Sequence, residues 1–181
     1  MSTDILSEED LEFDYESYDE MTKTERVMAA VRGEPLDRLP ICFWHHFKPE
    51  GSGRKLAEAT LDFFVDSFDL DIVKIMPDIP YPFPHNSIAK VEDWRLLETI
   101  DVQHSRYITQ RVEAVRLLRE LLGPDTPIVM TVFSPLAELM YFATEKSMAI
   151  EHAKQSPTIV HEALNIIANN LKNQNLSLIH I

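Results

Sequence analysis

Residues Asp69–Pro84, DLDIVKIMPDIPYPFP, decide how the rest of the chain is read. The first half, Ile72-Val73-Lys74-Ile75-Met76, is a short apolar run with β-branched residues, the composition of a buried parallel strand. The second half carries Pro77, Pro80, Pro82 and Pro84, none of which can continue a strand ladder, and each holds the residue before it extended. A strand that halts at a proline and then presents Asp78 places a carboxylate at its C-terminal end. In parallel α/β folds the chemistry sits at that end. The competing reading is that Asp78 merely caps a turn.

The 181 residues are 45% apolar, enough for an ordinary domain core. No apolar run approaches the ~18–20 residues that span a bilayer. The acidic N-terminus has neither the basic start nor the apolar core of a signal peptide. A single cysteine, Cys42, excludes an internal disulfide and fits a reducing, cytoplasmic setting; lying in an apolar run, it is expected to be a buried, inert thiol. Of the net charge of −13, nine acids fall in residues 1–20 without a single Lys or Arg, so the body is only mildly acidic. With no basic stripe, nucleic acid is excluded as a partner. Residues 1–20 read as a solvated acidic tail.

Order is expected from Thr22-Lys23-Thr24-Glu25, a capping-box pattern that opens a helix with Val27, Met28 and Val31 on one side and Gly33 as its stop. Ile41-Cys42-Phe43-Trp44 is a second strand candidate, ending at His45-His46-Phe47. Neighbours on an extended chain point to opposite faces, so the two histidines cannot chelate one ion and at most one faces a site. With no H-x-H, HExxH or CxxC spacing, no metal site is expected in this chain. Helical periodicity follows over Arg54–Phe68, with Ala57, Leu61, Phe64, Val65 and Phe68 as the apolar face. The acids Asp66, Asp69 and Asp71 lack the Gly and closing Glu of an EF-hand and read as a helix end. A short helix is expected around Asp93-Trp94. His104–Leu122 is a clear helix, with Ile108, Val112, Val115, Leu118, Leu121 and Leu122 inside and Arg106, Arg111, Glu113, Arg116 and Glu120 on the wet side. A third strand spans Ile128–Phe133. Helices are expected near Leu136–Ala143, Ser147–Lys154 and from Thr158, the last with Ala163, Ile166, Ile167 and Leu171 on one side.

Strand and helix thus alternate three times, which argues for a parallel α/β fold. Four glycines and no GxGxxG or GxxxxGKS leave no phosphate cradle. Strand starts near 41, 72 and 128 would require roughly 350 residues for eight units, the size of a TIM barrel with insertions. The expected fold is therefore the N-terminal part, about three βα units, of a TIM (β/α)8 barrel. The terminal LSLIHI, residues 176–181, resembles the translated end of a sequencing-library adapter, so native sequence is expected to stop near Asn175.

The run MTKTERVMAAVRGEPLDRLPI resembles the opening of the uroporphyrinogen decarboxylase superfamily, with its ER-x-x-x-A-x-x-G-x-x-x-D-R-x-P pattern. The likeness continues through FDLDIVKIMPDIPYP and TVFSPLAELMYF and covers most of residues 21–170. It implies a TIM-barrel enzyme with its site in the strand C-terminal mouth. The superfamily holds the heme-pathway decarboxylase and methyltransferases acting on corrinoid- or thiol-bound methyl groups. Asp78 matches the decarboxylase aspartate that gathers pyrrole N–H groups, and a carboxylate suits that task and the charge of a protonated pyrrole. Tyr141, with five residues between it and Pro135, matches a substrate-contacting tyrosine, though a core tyrosine would fit equally. The family's R-Q-A-G-R-Y-x-P stretch is replaced by His45-His46-Phe47-Lys48-Pro49, so no arginine awaits a carboxylate, and His45 and His46 are the substrate-binding candidates there. The resemblance implies a carboxyl-lyase acting on a tetrapyrrole or related small molecule without a cofactor, as a homodimer of the full-length protein. The alternative is a methyltransferase taking a methyl donor, with zinc ligands outside this chain. The 181 residues alone are expected to be inactive.

Overall fold

A computed structural model describes residues 20–83, 88–179 and 181. The expected tail, apart from Glu20, and the proline-loop residues 84–87 lie outside the described residues. The chain is helix-rich with a small parallel sheet. Helix α1 (Lys23–Arg32) is followed by an irregular stretch and α2 (Gly53–Leu61), which continues as a wider π-helical turn over Asp62–Ser67. Then come β1 (Val73–Ile75), a 3₁₀ segment (Val91–Leu96), α3 (Arg106–Leu122) and β2 (Ile128–Met130). Three helices close the described order: α4 (Pro135–Phe142), α5 (Lys146–Gln155) and α6 (Pro157–Leu178).

The helix signals read from sequence act as expected. Thr22 Oγ1 accepts from the Glu25 N–H at 3.2 Å while the Glu25 carboxylate accepts from the Thr22 N–H at 2.9 Å, and Gly33 ends α1 at φ 68°, where a Cβ would be strained. The Asp93-Trp94 helix is the 3₁₀ segment. Its Trp94 is buried, and the indole N–H donates to His152 Nδ1 at 3.1 Å, which locks the 3₁₀ segment to α5.

Strand β1 pairs in parallel with β2, Val73 opposite Ile128 and Ile75 opposite Met130. Val73 and Ile75 point into the core beneath α2 and α3, among Leu56, Phe64, Ile108 and Leu118, all buried. Lys74 and the neighbouring Val129 point the other way, a face covered in part by Trp44, whose ring lies 4.5 Å from the Lys74 ammonium. One expected strand does not form: Ile41–Trp44 is extended and exposed, and its tie to β1's approach is the Asp71 N–H donating to Ile41 O at 3.0 Å. The described sheet therefore has two strands. Cys42 accordingly is exposed, not buried.

Helix α1 also corrects the sequence reading. Its docked residues are Arg26 and Ala29, whereas Met28 and Val31 face outward. The reason is an ion cluster. Arg26 forks onto Asp37 (Nε to Oδ1 2.7 Å, Nη2 to Oδ2 2.5 Å) and reaches Asp71 Oδ1 at 2.7 Å. Arg38 meets the same Asp71 at 2.6 and 2.9 Å, and the Ile41 N–H donates to it at 2.8 Å. A bidentate Arg–carboxylate pair with further donors satisfies charges that burial would otherwise penalise.

Candidate functional site

The loop after β1 delivers Asp78 to the strand's C-terminal end. Its carboxylate does not cap its own turn; both oxygens reach across to the 45–47 segment. Phe47 N–H donates to Oδ2 at 2.7 Å, and His46 Nδ1 lies 2.6 Å from Oδ1. A carboxylate only accepts, so the His46 proton sits on Nδ1 and Nε2 is left free. The Asp78 side chain is 8% exposed while that of His46 is 63% exposed, so the acid is set behind the imidazole.

Arg111 holds this loop from below. From α3 its Nε and Nη2 donate to Ile79 O at 3.1 and 2.6 Å, Nη2 also to Pro77 O at 3.2 Å, and Nη1 to Gln174 Oε1 at 3.1 Å. The carbonyls on both sides of Asp78 are thereby fixed by one guanidinium, which also rests 4.3 Å over the Tyr107 ring. Arg111 is fully buried, and among the described residues no carboxylate is in hydrogen-bond contact with it; burial pulls its pKa down, while Tyr107, Glu138 and Asp78 pull the other way.

Above this floor lies a cleft of about 610 Å³. His46 forms one side, Pro77, Tyr81 and Phe83 the next, and Phe133, Glu138 and Tyr141 the wall from β2's end and α4. The walls are aromatic: Phe83 stacks on Phe142 at 4.9 Å, Tyr81 meets Phe142 at 5.4 Å, and Phe133 meets Tyr141 at 5.4 Å. Behind them, the Tyr81 hydroxyl accepts from Asn170 Nδ2, which also donates to Glu98 O at 2.9 Å. Burial pushes the Glu138 carboxyl above the ordinary carboxylate range, an effect only partly offset by Arg111.

Of the residues expected from sequence, His46 and Tyr141 line this cleft, and Asp78 stands behind it, bonded to His46. Tyr141 is exposed on its wall, not in the core. His45 points away and stacks on Phe63, with centroids 4.3 Å apart. The two histidines take opposite sides, as an extended chain requires. Among the described residues no three His, Cys, Asp or Glu side chains come together as a metal site. Sequence reasoning missed Arg111, Glu138, Asn170 and Gln174. Arg111 was assigned to the wet side by its charge, yet it stands three residues after Ile108 and seven before Leu118, on the buried stripe. Glu138 is the one charge in the apolar octet PLAELMYF, a signal available from sequence.

No helix among the described residues is long and apolar enough to cross a membrane. The profile of the family "Uroporphyrinogen decarboxylase (URO-D)" matches residues 69–179, more than half of the chain. Among curated proteins no sequence matches significantly. Among solved structures, a methyltransferase from Methanosarcina mazei superposes with a TM-score of 0.64 at 18% identity, over 89% of this chain and 56% of that one. At that identity the likeness is one of fold, and the chain spans about half the length of that relative. The matched segment contains β1, Asp78, both strands' C-terminal ends and the whole of α4, so the cleft is built largely from it: the chain is a divergent member of the uroporphyrinogen decarboxylase family.

Proposed function

We propose that the chain supplies the Asp78 side of the active-site mouth of a decarboxylase-like enzyme, a carboxyl-lyase whose substrate is a tetrapyrrole or related N–H-bearing ring. One observation carries this reading: a nearly buried carboxylate, fixed at a strand's C-terminal end, beside an aromatic cleft. Each Asp78 oxygen uses one lone pair on His46 or Phe47, which leaves a second on each for substrate N–H groups. When a ring carbon takes a proton, positive charge spreads over the pyrrole nitrogens. A fixed carboxylate facing them stabilises that charge more than the neutral ground state. The adjoining C–CO₂⁻ bond then breaks, its electron pair returning to the ring and carbon dioxide leaving. Arg111 acts as a positioning residue, through the carbonyls of Pro77 and Ile79. Tyr141 and His46 contact substrate from facing walls.

Asp78→Asn in the intact protein tests the reading. We expect turnover to fall about 10²–10³-fold, the usual loss when one preorganised charge partner is removed. Undiminished release of carbon dioxide from the substrate would remove Asp78 from the mechanism.

A methyltransferase is the second reading, favoured by the lack of arginine over residues 45–49 and by the activity named for the similar archaeal structure. The residues present do not form a zinc site: His46 is committed to Asp78, and no second and third donors join it among the described residues. Methyl transfer to a thiol acceptor without carbon dioxide release would select this reading.

A further inference from the structure

Glu138 is the cleft's unexplained group. It is 5% exposed, it lines the cleft one turn before Tyr141, and its carboxyl makes no hydrogen bond with the described residues. The cation nearest in influence, Arg111, spends its donors on Pro77 O, Ile79 O and Gln174, so it acts on Glu138 through space and is not free to fork onto a ligand carboxylate. A buried acid without a donor costs stability and is tolerated where a ligand brings the donor. Two neighbouring polar atoms, Tyr107 Oη and Gln174 Nε2, are buried without partners among the described residues.

From this we infer that Glu138 is a second carboxylate anchor of the cleft, and that the ligand carries an additional N–H or ammonium donor on an aromatic-sized body. The charged side chains lining this space are Glu138 and Arg111, with His46 on one side and Asp78 behind it, and among the described residues none offers a free forked cation. Ligands with several carboxylates are therefore disfavoured, and cationic or N–H-rich planar ones are preferred by the rings of Tyr81, Phe83, Phe133 and Phe142. The inference rests on the cleft being the substrate site, and it narrows the substrate to ring systems poor in carboxylates.

The test uses two isosteric probes, tryptamine (an ammonium) and indole-3-propionate (a carboxylate), titrated by calorimetry against the intact protein and its Glu138→Gln and Asp78→Asn variants. We expect tryptamine to bind at least about tenfold more tightly than indole-3-propionate. In Glu138→Gln that preference should shrink to about threefold or less, with a Tm at neutral pH no lower than that of the parent. Equal affinity for the probes, no binding of either, or a preference untouched by Glu138→Gln would each overturn the inference. Loss of selectivity in Glu138→Gln alongside full turnover in Asp78→Asn would instead uphold Glu138 and sink the lyase reading. A turnover defect in Asp78→Asn with no probe selectivity would do the reverse.

Discussion

At the scale of single residues, the molecule concentrates its charge in two places with opposite consequences. Asp71 is buried and accepts from Arg26, Arg38 and the Ile41 N–H. Asp71→Asn leaves Arg26 buried with one carboxylate fewer, and we expect a loss of about 3–5 kcal/mol in urea unfolding; a loss under about 1 kcal/mol would show the cluster to be dispensable. The pH response follows from the signs. The Arg26 bond holds Asp37 far below the carboxylate range. Burial pushes Asp71 up, but Arg38, the Ile41 N–H and Arg26 outweigh it and its pKa too is lowered from 3.8. Folded values below the unfolded ones mean that this stabilisation is complete above about pH 4 and drains away as pH falls further. Glu138 runs the other way. Raised from 4.5 by burial, it costs nothing in acid and progressively more as pH climbs past its unfolded value. Glu138→Gln should therefore be more stable than the parent at pH 7 and no more stable at pH 4, measured by Tm; a variant less stable at pH 7 would mean that Glu138 is paired in solution. The place of Asp78 just beyond β1 was legible because a strand, a proline and an acid occur in that order. Arg111 and Glu138 were not, because residue type was weighed above helical position, and a buried guanidinium reads as a surface one until the carbonyls of Pro77 and Ile79 are seen around it.

At the scale of elements, helix ends were the most legible features, since the Thr22–Glu25 box and Gly33 act locally. The Ile41–Trp44 strand was misread because pairing is a non-local event: an apolar extended run becomes a strand only if a neighbour offers a free edge, and here the approach to β1 meets it with one backbone bond. The packing of α2 on α3 hinges on Gly53, which carries no motif. A Cβ there would lie 2.1 Å from Gln110 O, a backbone atom that cannot swing aside, and the Gly53 N–H donates to Gln110 Oε1 at 2.8 Å. Gly53→Ala should cost about 1–3 kcal/mol by forcing α2 away from α3. Gly33→Ala, at φ 68° in open space, should cost about 1 kcal/mol through backbone strain alone. Urea midpoints of the two variants check this. A Gly53→Ala variant as stable as the parent would show that the two helices slide freely on each other.

At the scale of the whole molecule, alternation of strand and helix was enough to read a parallel α/β arrangement, and two adjacent parallel strands with helices over one face realise it. Closure is a property of many units together, so three short apolar runs could only point toward a barrel. What the fold leaves on the surface is physically decisive for the behaviour of these 181 residues. The sheet has one face packed on α2 and α3, and on its other face stand Val129 and Trp44, both exposed. Val31, Leu39, Leu121 and Ile179 add large side chains that are each more than 60% exposed. The far edge of β2 carries backbone groups that no described strand pairs. Scattered apolar residues are ordinary, but a sheet face and an unpaired edge together offer a second copy both burial and hydrogen bonds. The net charge of −13 opposes association, with nine acids in residues 1–20; salt should therefore favour self-association by screening them. We expect light scattering at tens of micromolar to report species well above 20.9 kDa, growing with ionic strength. Val129→Lys, which charges the open face next to Lys74, should reduce them. A monodisperse monomer with a sharp, salt-independent thermal transition would mean that the sheet's open face and edge are already covered in solution.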